Sequence, residues 1–219
     1  MRWRLLGDVP EEQVRLLLSV ARRRRFERGE VVFHFDDPGD SLHLVTAGHF
    51  AIKVRSPLGE TVTIALRGPG ENFGEMALVG AEARRSATVE ALERAETFQI
   101  FKADFDRLRR EHPSIDQVLT AFLVGAVRSL NERLLEALYL PAERRVLRGL
   151  VELARLYGDG DGDAPAELPL TQEELGEFAG ASRGTVNRVL REEQDRGTIE
   201  LRRGRTIIRD ADALRKRAH

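Results

Sequence analysis

The stretch Phe73-Gly74-Glu75-Met76-Ala77-Leu78-Val79, followed after a short interval by Arg84-Arg85-Ser86-Ala87-Thr88-Val89, organises the reading of the whole chain. It brings together a glycine, a carboxylate, the start of a short helix, an arginine and a hydroxyl. A ligand carrying both a phosphate and a sugar hydroxyl needs those groups. A glycine lets backbone approach closely, helix-start amides suit an anion, and a guanidinium offers phosphate oxygens a planar fork that lysine lacks. Taken alone, a Gly-Glu pair with an Arg-Ser pair ten residues on is a weak motif, so its surroundings decide.

Those surroundings read as β structure. From Phe26 to about Phe101, Gly29, Gly39, Gly48, Gly59 and Gly70 recur between short runs rich in strand formers: Val31–Phe35, Leu42–Thr46, Phe50–Arg55 and Thr61–Leu66. Asp37-Pro38-Gly39-Asp40 and Ser56-Pro57-Leu58-Gly59 supply turn chemistry. Ala87–Ala91 and Thr97–Phe101 close the sheet, and regular punctuation of short strands predicts an antiparallel barrel or roll. His34, His43 and His49 follow no metal-ligand spacing and have no carboxylates clustered with them, so they are read as strand-surface histidines, and no metal is expected.

Helices flank the roll. Val9-Pro10-Glu11-Glu12 opens a short one, since proline and acids suit a first turn, with Val14, Leu17, Leu18 and Ala21 on its apolar face. Arg22–Arg25 is read as a solvated basic face entering a strand. Ala103–Arg110 is a second short helix. After Pro113, Ser114 is the predicted N-cap of a long helix reaching about Leu138. Its apolar positions, among them Val118, Phe122, Val127, Leu130, Leu134 and Leu138, keep spacings of three and four over many turns. A coiled-coil-like dimer seam fits that stripe; a helix packed only on its own domain is the alternative. Leu140-Pro141 marks a boundary, Ala142–Leu156 is another amphipathic helix, and Gly158 to Pro165 is an acidic surface loop that lacks the rest of an EF-hand.

Toward the C-terminus, Thr171-Gln172-Glu173-Glu174 is a capping box, with Leu175, Phe178 and Ala179 on the inner face of its helix. Gly180-Ala181 turns the chain, and Ser182 caps a second helix. That helix buries Val186, Val189 and Leu190 and exposes Arg183, Gly184, Asn187, Arg188 and Arg191. Two helices joined by a glycine turn, with arginines on the outer face of the second, form a helix-turn-helix. Arginines there pair bidentately with guanine in the major groove. Thr185 and the first-turn amides at Thr171, Gln172 and Ser182 suit phosphates. Thr198–Leu201 and Thr206–Arg209 read as a hairpin wing with Arg203 and Arg205 at its basic tip.

Composition agrees. The 219 residues carry a formal net charge of -1, so the molecule as a whole is no polybasic binder. From Arg183 to His219, however, eleven Arg and Lys stand against six Asp and Glu, an excess of five positive charges on one segment. The absence of cysteine excludes disulfides, thiolate zinc sites and cysteine-ligated iron–sulfur clusters. No apolar run approaches a membrane span and the N-terminus lacks a signal-peptide core, so a cytoplasmic location is expected and no membrane partner. No catalytic triad, metal spacing or P-loop supports an enzyme.

With both motifs in hand, the sequence resembles the cyclic-AMP receptor protein (CRP/FNR) family of bacterial transcription regulators, over nearly its whole length and in the right order. The resemblance implies an α+β chain: a cyclic-nucleotide-binding, jelly-roll-like β-roll over residues 1–112, a dimerisation helix over 113–140 and a winged helix-turn-helix over 141–219. It implies that Gly74 lets backbone reach the ligand, that Glu75 accepts from the ribose 2′-hydroxyl, and that Arg85 pairs with the cyclic phosphate. Ser86 and the amides around Met76, Ala77 and Ala87 complete the cradle. Cyclic AMP is the implied effector. Where cyclic-AMP-responsive members carry a small polar pair against adenine, this sequence has Leu130-Asn131; Asn131 keeps an amide for the base, while Leu130 can neither donate nor accept. Arg183 and Arg188 match the family's guanine-reading arginines, and Gly184 stands where relatives often carry a glutamate. The implied partners are a second copy of the chain, pseudo-palindromic double-stranded DNA and RNA polymerase. Two other readings stay open: a member that binds DNA with another nucleotide or none, and a nucleotide module whose C-terminal domain contacts protein.

Overall fold

Phe50–Arg55 and Thr61–Arg67 are rich in strand formers, and they pair as an antiparallel hairpin with Phe50 opposite Arg67 and Arg55 opposite Thr61. The computed structural model describes residues 9–55, 59, 61–79, 83–158, 165–168, 170–202 and 205–218. The expected turn at Ser56-Pro57-Leu58, the acidic residues 159–164 and wing-tip Arg203 lie outside these described residues. The chain divides into two units, Met1–Asn131 and Glu132–His219, with the division falling inside the long helix.

The first unit opens with α1 (Glu11–Ser19), started by Pro10 and two first-turn acids. Ala21, expected on its apolar face, falls beyond its end. Eight strands follow: β1 (Arg22–Phe26), β2 (Val31–Phe33), β3 (Ser41–Ala47), β4 (Phe50–Arg55), β5 (Thr61–Arg67), β6 (Asn72–Phe73), β7 (Thr88–Ala91) and β8 (Ala95–Phe101). They form two antiparallel four-stranded sheets, ordered β1-β8-β3-β6 and β2-β7-β4-β5. Phe26, Val45, Phe50, Phe73 and Val89 fill the space between them. The basic run at Arg22–Arg25 is exposed as expected, but it is itself the edge strand β1 rather than its approach. Arg23 and Arg25 both pair with Glu96 on β8.

Helices α2 (Lys102–Glu111) and α3 (Asp116–Tyr139) follow. Leu17, Leu42, Leu44, Ile100, Phe105, Ile115, Val118 and Phe122 form a second core on the outer face of the β1-β8-β3-β6 sheet. Strand β3 is therefore covered on both faces, and five consecutive residues, Ser41–Val45, are buried. This corrects the reading of the histidines. His43 is buried between the sheets, stacked on Phe73 with ring centroids 5.0 Å apart, and His49 is buried with Nδ1 2.5 Å from Glu93 Oε1; only His34 is on the surface. Ser114 is not the helix cap either. It lies within a 3-10 turn, Pro113–Ile115, whose Ile115 is buried in the core, and α3 begins after it at Asp116.

Along α3 the apolar stripe has two fates. Val118 and Phe122 are buried, whereas Val124, Val127, Leu130, Leu134, Leu135 and Leu138 are exposed.

In the second unit come α4 (Ala142–Tyr157), β9 (Ala166–Leu168), α5 (Gln172–Ala179), α6 (Arg183–Asp195), β10 (Ile199–Arg202), β11 (Arg205–Ile208) and α7 (Ala211–Ala218). The expected wing hairpin forms as β10–β11, with Ile199 opposite Ile208 and Arg202 opposite Arg205. Strand β9, absent from the sequence reading, adds to its edge with Leu168 opposite Thr206. Val146, Leu150 and Leu153 of α4, Leu175 and Phe178 of α5, and Val186, Val189 and Leu190 of α6 are buried.

Candidate functional site

Two sites emerge, one in each unit. In the first, loop residues 36–40 run beside residues 83–85. Asp36 N donates to Arg85 O and Arg85 N to Asp37 O, both at 2.9 Å, and Pro38 bridges Arg84. This pairing, with β2 beside β7, draws the Arg84–Val89 segment against Gly74 and the 3-10 turn Glu75–Leu78. One cleft is lined by Gly74, Glu75, Met76, Ala77, Arg85, Ser86 and Ala87, every one of the expected cradle residues. Phe33, Ile52, Arg67 and Asn72 also line it; no motif marks Arg67, a cation at the end of β5 that donates to the carbonyls of Leu66 and Asn72.

Arg85 is the centre of this cleft. Its side chain is only 4% exposed, yet it carries a charge. Nη1 donates to Ser41 O at 2.6 Å, Nη2 donates to Asp40 Oδ1 at 2.9 Å and Ser41 Oγ at 3.0 Å, and the guanidinium lies 3.9 Å over the Phe33 ring. Nε is buried with no hydrogen-bond partner among the described residues. Burial pushes the Arg85 pKa down, and Asp40 opposes that shift. A buried cation with a spare donor favours an anion.

Gly74 sits in the left-handed region with φ 80°, and a Cβ there would meet Arg85 Nη1 at 2.8 Å and Ser41 O at 3.0 Å. Only glycine fits both the backbone angle and the gap. Glu75 is half-buried and accepts from Asn72 Nδ2 at 3.2 Å. Behind Arg85 the polar contacts continue inward: Gln99 Nε2 donates to Ser41 Oγ at 3.1 Å, and His43 Nδ1 lies 3.0 Å from Thr97 Oγ1. Burial, with Arg85 and Arg24 adding to it, lowers the His43 pKa to about 3, so the ring is neutral. Leu130 and Asn131 are not among the cleft's lining residues; both are exposed on α3.

The second site is built on α5 and α6. Thr171 accepts from Glu174 N and the Glu174 carboxylate accepts from Thr171 N, closing the capping box. Gly180, with φ 58°, ends α5, and Arg145 donates to the carbonyls of Ala179 and Gly180 at 3.1 and 2.6 Å, a cation placed where the helix dipole favours one. Ser182 Oγ accepts from Thr185 N at 3.2 Å and starts α6. Arg183, Gly184, Arg188 and Arg191 are exposed along one groove. Asn187 borders the same groove but is half-buried, because its amide donates to Gln172 Oε1 at 3.2 Å and ties the two helices together. On the wing, Arg205 is exposed and pairs with Glu167 at 2.5 Å.

Glu193, on the inner face of α6, is 1% exposed. It accepts from Thr198 Oγ1 at 2.6 Å and pairs with Arg196 and Arg217. Burial works to raise its pKa, but the hydrogen bonds from Arg217 and Thr198 and the two nearby arginines outweigh that and hold the carboxyl below its usual value. Among the described residues no cluster of His, Asp or Glu is placed to hold a metal, and no helix is long and apolar enough to cross a membrane.

Comparison with known proteins bears on both sites. The cyclic nucleotide-binding domain model matches residues 23–112 and the Crp-like helix-turn-helix domain model matches residues 144–217. The chain is 35% identical over 208 residues to the cyclic AMP receptor protein of Thermus thermophilus, covering 95% of this chain and 93% of that protein. It is 32% identical over 197 residues to a CRP-like cAMP-activated global transcriptional regulator of Mycobacterium tuberculosis, covering 88% and 86%. The solved structure of FixK2 from Bradyrhizobium japonicum superposes with a TM-score of 0.77 at 19% identity, over 90% of this chain and 96% of that one, which is a likeness of fold.

Proposed function

This chain belongs to the CRP/FNR family of transcription regulators, and from that membership we propose that it is a homodimer taking one cyclic AMP per protomer in the roll. It is a DNA-binding regulator with a cyclic-nucleotide-binding domain and not an enzyme. The finer reading rests on one observation above the rest: the buried Arg85, with Nε unpartnered among the described residues, opens on the same cleft as Glu75 across the left-handed Gly74. A cyclic phosphate satisfies the first and a ribose hydroxyl the second. The names of the Thermus and Mycobacterium relatives, both tied to cyclic AMP, support the choice of base.

In this reading residues 1–112 bind the nucleotide, 113–140 pair two copies and 141–219 meet DNA. Ligand acts only through a difference in affinity between two arrangements of the paired helices. When the DNA-competent arrangement is selected, two α6 helices enter successive major grooves of a pseudo-palindrome about 34 Å apart. RNA polymerase is the downstream partner in the same reading.

A second reading has its own support. Leu130 and Asn131 are exposed and do not line the cleft, so Arg85 and Glu75 offer groups suited to a phosphate and a sugar but leave the base unspecified. A regulator answering to a different nucleotide, or to none, fits that feature. Calorimetric titration with cyclic AMP, cyclic GMP and a cyclic dinucleotide decides between them, followed by DNA binding with and without the tightest binder. Cyclic AMP giving the tightest binding and strengthening DNA binding is the expected result. No heat from cyclic AMP at high micromolar concentration overturns the ligand assignment.

A further inference from the structure

Arg188 is held differently from its neighbours on the groove face of α6. Its Nη2 lies 2.5 Å from Glu143 Oε1, on the first turn of α4, and its Nη1 lies 3.6 Å from Glu192 Oε1. Both terminal nitrogens of the fork, the atoms a guanine edge takes in a bidentate contact, therefore face carboxylates. Arg183 and Arg191, exposed along the same groove, have no ion pair among the described residues. Glu143 is a stable anion in this position: its own backbone hydrogen bond, then the one from Arg188, hold its carboxyl below the usual range, and a helix N-terminus favours negative charge.

We infer that Glu143 is a specificity-determining residue of the DNA interface, an internal competitor that neutralises Arg188 until a base edge replaces it. Non-specific binding comes from arginines and lysines that neutralise phosphates and release counterions. An arginine already neutralised by Glu143 adds little to that sum, and exchanging Glu143 for one phosphate oxygen leaves the Glu143 charge facing an anionic backbone. A guanine edge instead accepts two bonds from the fork at once. Glu143 thus weakens binding to random DNA more than binding to a site with guanine in register, and it widens the ratio that decides occupancy in a genome. The inference rests on Arg188 facing DNA, which Arg188→Ala tests separately.

The experiment uses the full-length protein, with and without saturating cyclic AMP, on two duplexes: one enriched by the wild type from a random library and one scrambled. Glu143→Gln is expected to strengthen binding to the scrambled duplex severalfold at low salt. It should also steepen the logarithmic salt slope by about 1 for each Arg188 that reaches a phosphate. Affinity for the enriched duplex should rise less, so the specificity ratio falls. In an Arg188→Ala background the same substitution should change neither quantity by as much as twofold. Glu143→Ser, which keeps a polar first-turn residue, gives the same readout if Glu143→Gln lowers the melting temperature. An equal gain with Arg188 absent would reduce the effect to bulk charge and overturn the inference. Weaker binding of Glu143→Gln to both duplexes would make Glu143 a brace rather than a competitor and overturn it as well. If Arg188→Ala leaves both duplexes bound as before, Arg188 does not face DNA and the inference falls with that reading.

Discussion

Arg85 Nη2 donates to Asp40 Oδ1 at 2.9 Å across 45 residues of sequence. The contact seats the buried guanidinium of the cleft, which lies over the Phe33 ring with its fork held by Ser41 and Asp40. A cation held this way loses little further freedom when it meets an anion, which is what preorganisation means for binding.

Arg85→Lys keeps the charge and gives up the fork. Charge-assisted hydrogen bonds are worth about 1.5–3 kcal/mol each, so cyclic AMP affinity should fall about 10–100-fold in calorimetry while circular dichroism stays native. Affinity within twofold of wild type would remove Arg85 from the phosphate site.

His43 gives the roll a defined response to acid. Its folded pKa, about 3, lies below the ordinary histidine value of 6.5, so the unfolded chain binds the extra proton. Its contribution to stability is complete above the unfolded value and is lost as pH falls from there toward the folded one. Urea unfolding should show the wild type losing up to about 1.4 kcal/mol per pH unit from this group across that window. His43→Phe should flatten the slope by that amount. Parallel slopes for the two proteins would mean that His43 charges in place.

In the proposed homodimer the exposed half of α3 is the seam. Leu130 and Leu134 are 67% and 53% exposed, one turn apart, and burying a leucine side chain is worth about 2–3 kcal/mol. Leu130→Glu with Leu134→Glu should weaken self-association at least about 100-fold by sedimentation, with cyclic AMP binding to the roll measured alongside. An unchanged dimer would place the seam elsewhere.

Glu193 joins α6 to Thr198 at the start of the wing and to Arg217 on α7. Glu193→Gln leaves two arginines without their carboxylate. It should lower stability of the second unit by about 1–3 kcal/mol in thermal melts and weaken DNA binding, with nucleotide affinity unchanged. A melt identical to wild type would show that the arginines find other partners.

The helix-turn-helix was legible because it is local. A capping box, a glycine turn and a second N-cap lie within about a dozen residues, and all three bonds form as the residues suggest. The Gly74–Ala87 cradle was weak as a local pattern and became readable only in its context, beside the helix-turn-helix and the family resemblance; the left-handed backbone at Gly74 is a finding of the structure. Strands β4 and β5 followed from runs of strand formers set off by turn glycines. Edge strand β1 was hidden because four successive arginines do not alternate, and β9 because three residues carry too little pattern.

Sequence by itself determined the order of the roll, long helix and helix-turn-helix, and it pointed to Gly74–Ala77 and Arg85–Ala87, which line one cleft. Tertiary structure decided what those residues experience. His43 is buried because β3 is covered on both faces, which no one-strand pattern reveals. Arg85 is seated by Asp40 and Ser41 and Arg188 is held by Glu143 through contacts spanning 44 to 45 residues. Periodicity records which face of an element is apolar; only the packed chain determines which charges meet, since electrostatic partners are chosen by distance in space and not by distance along the backbone.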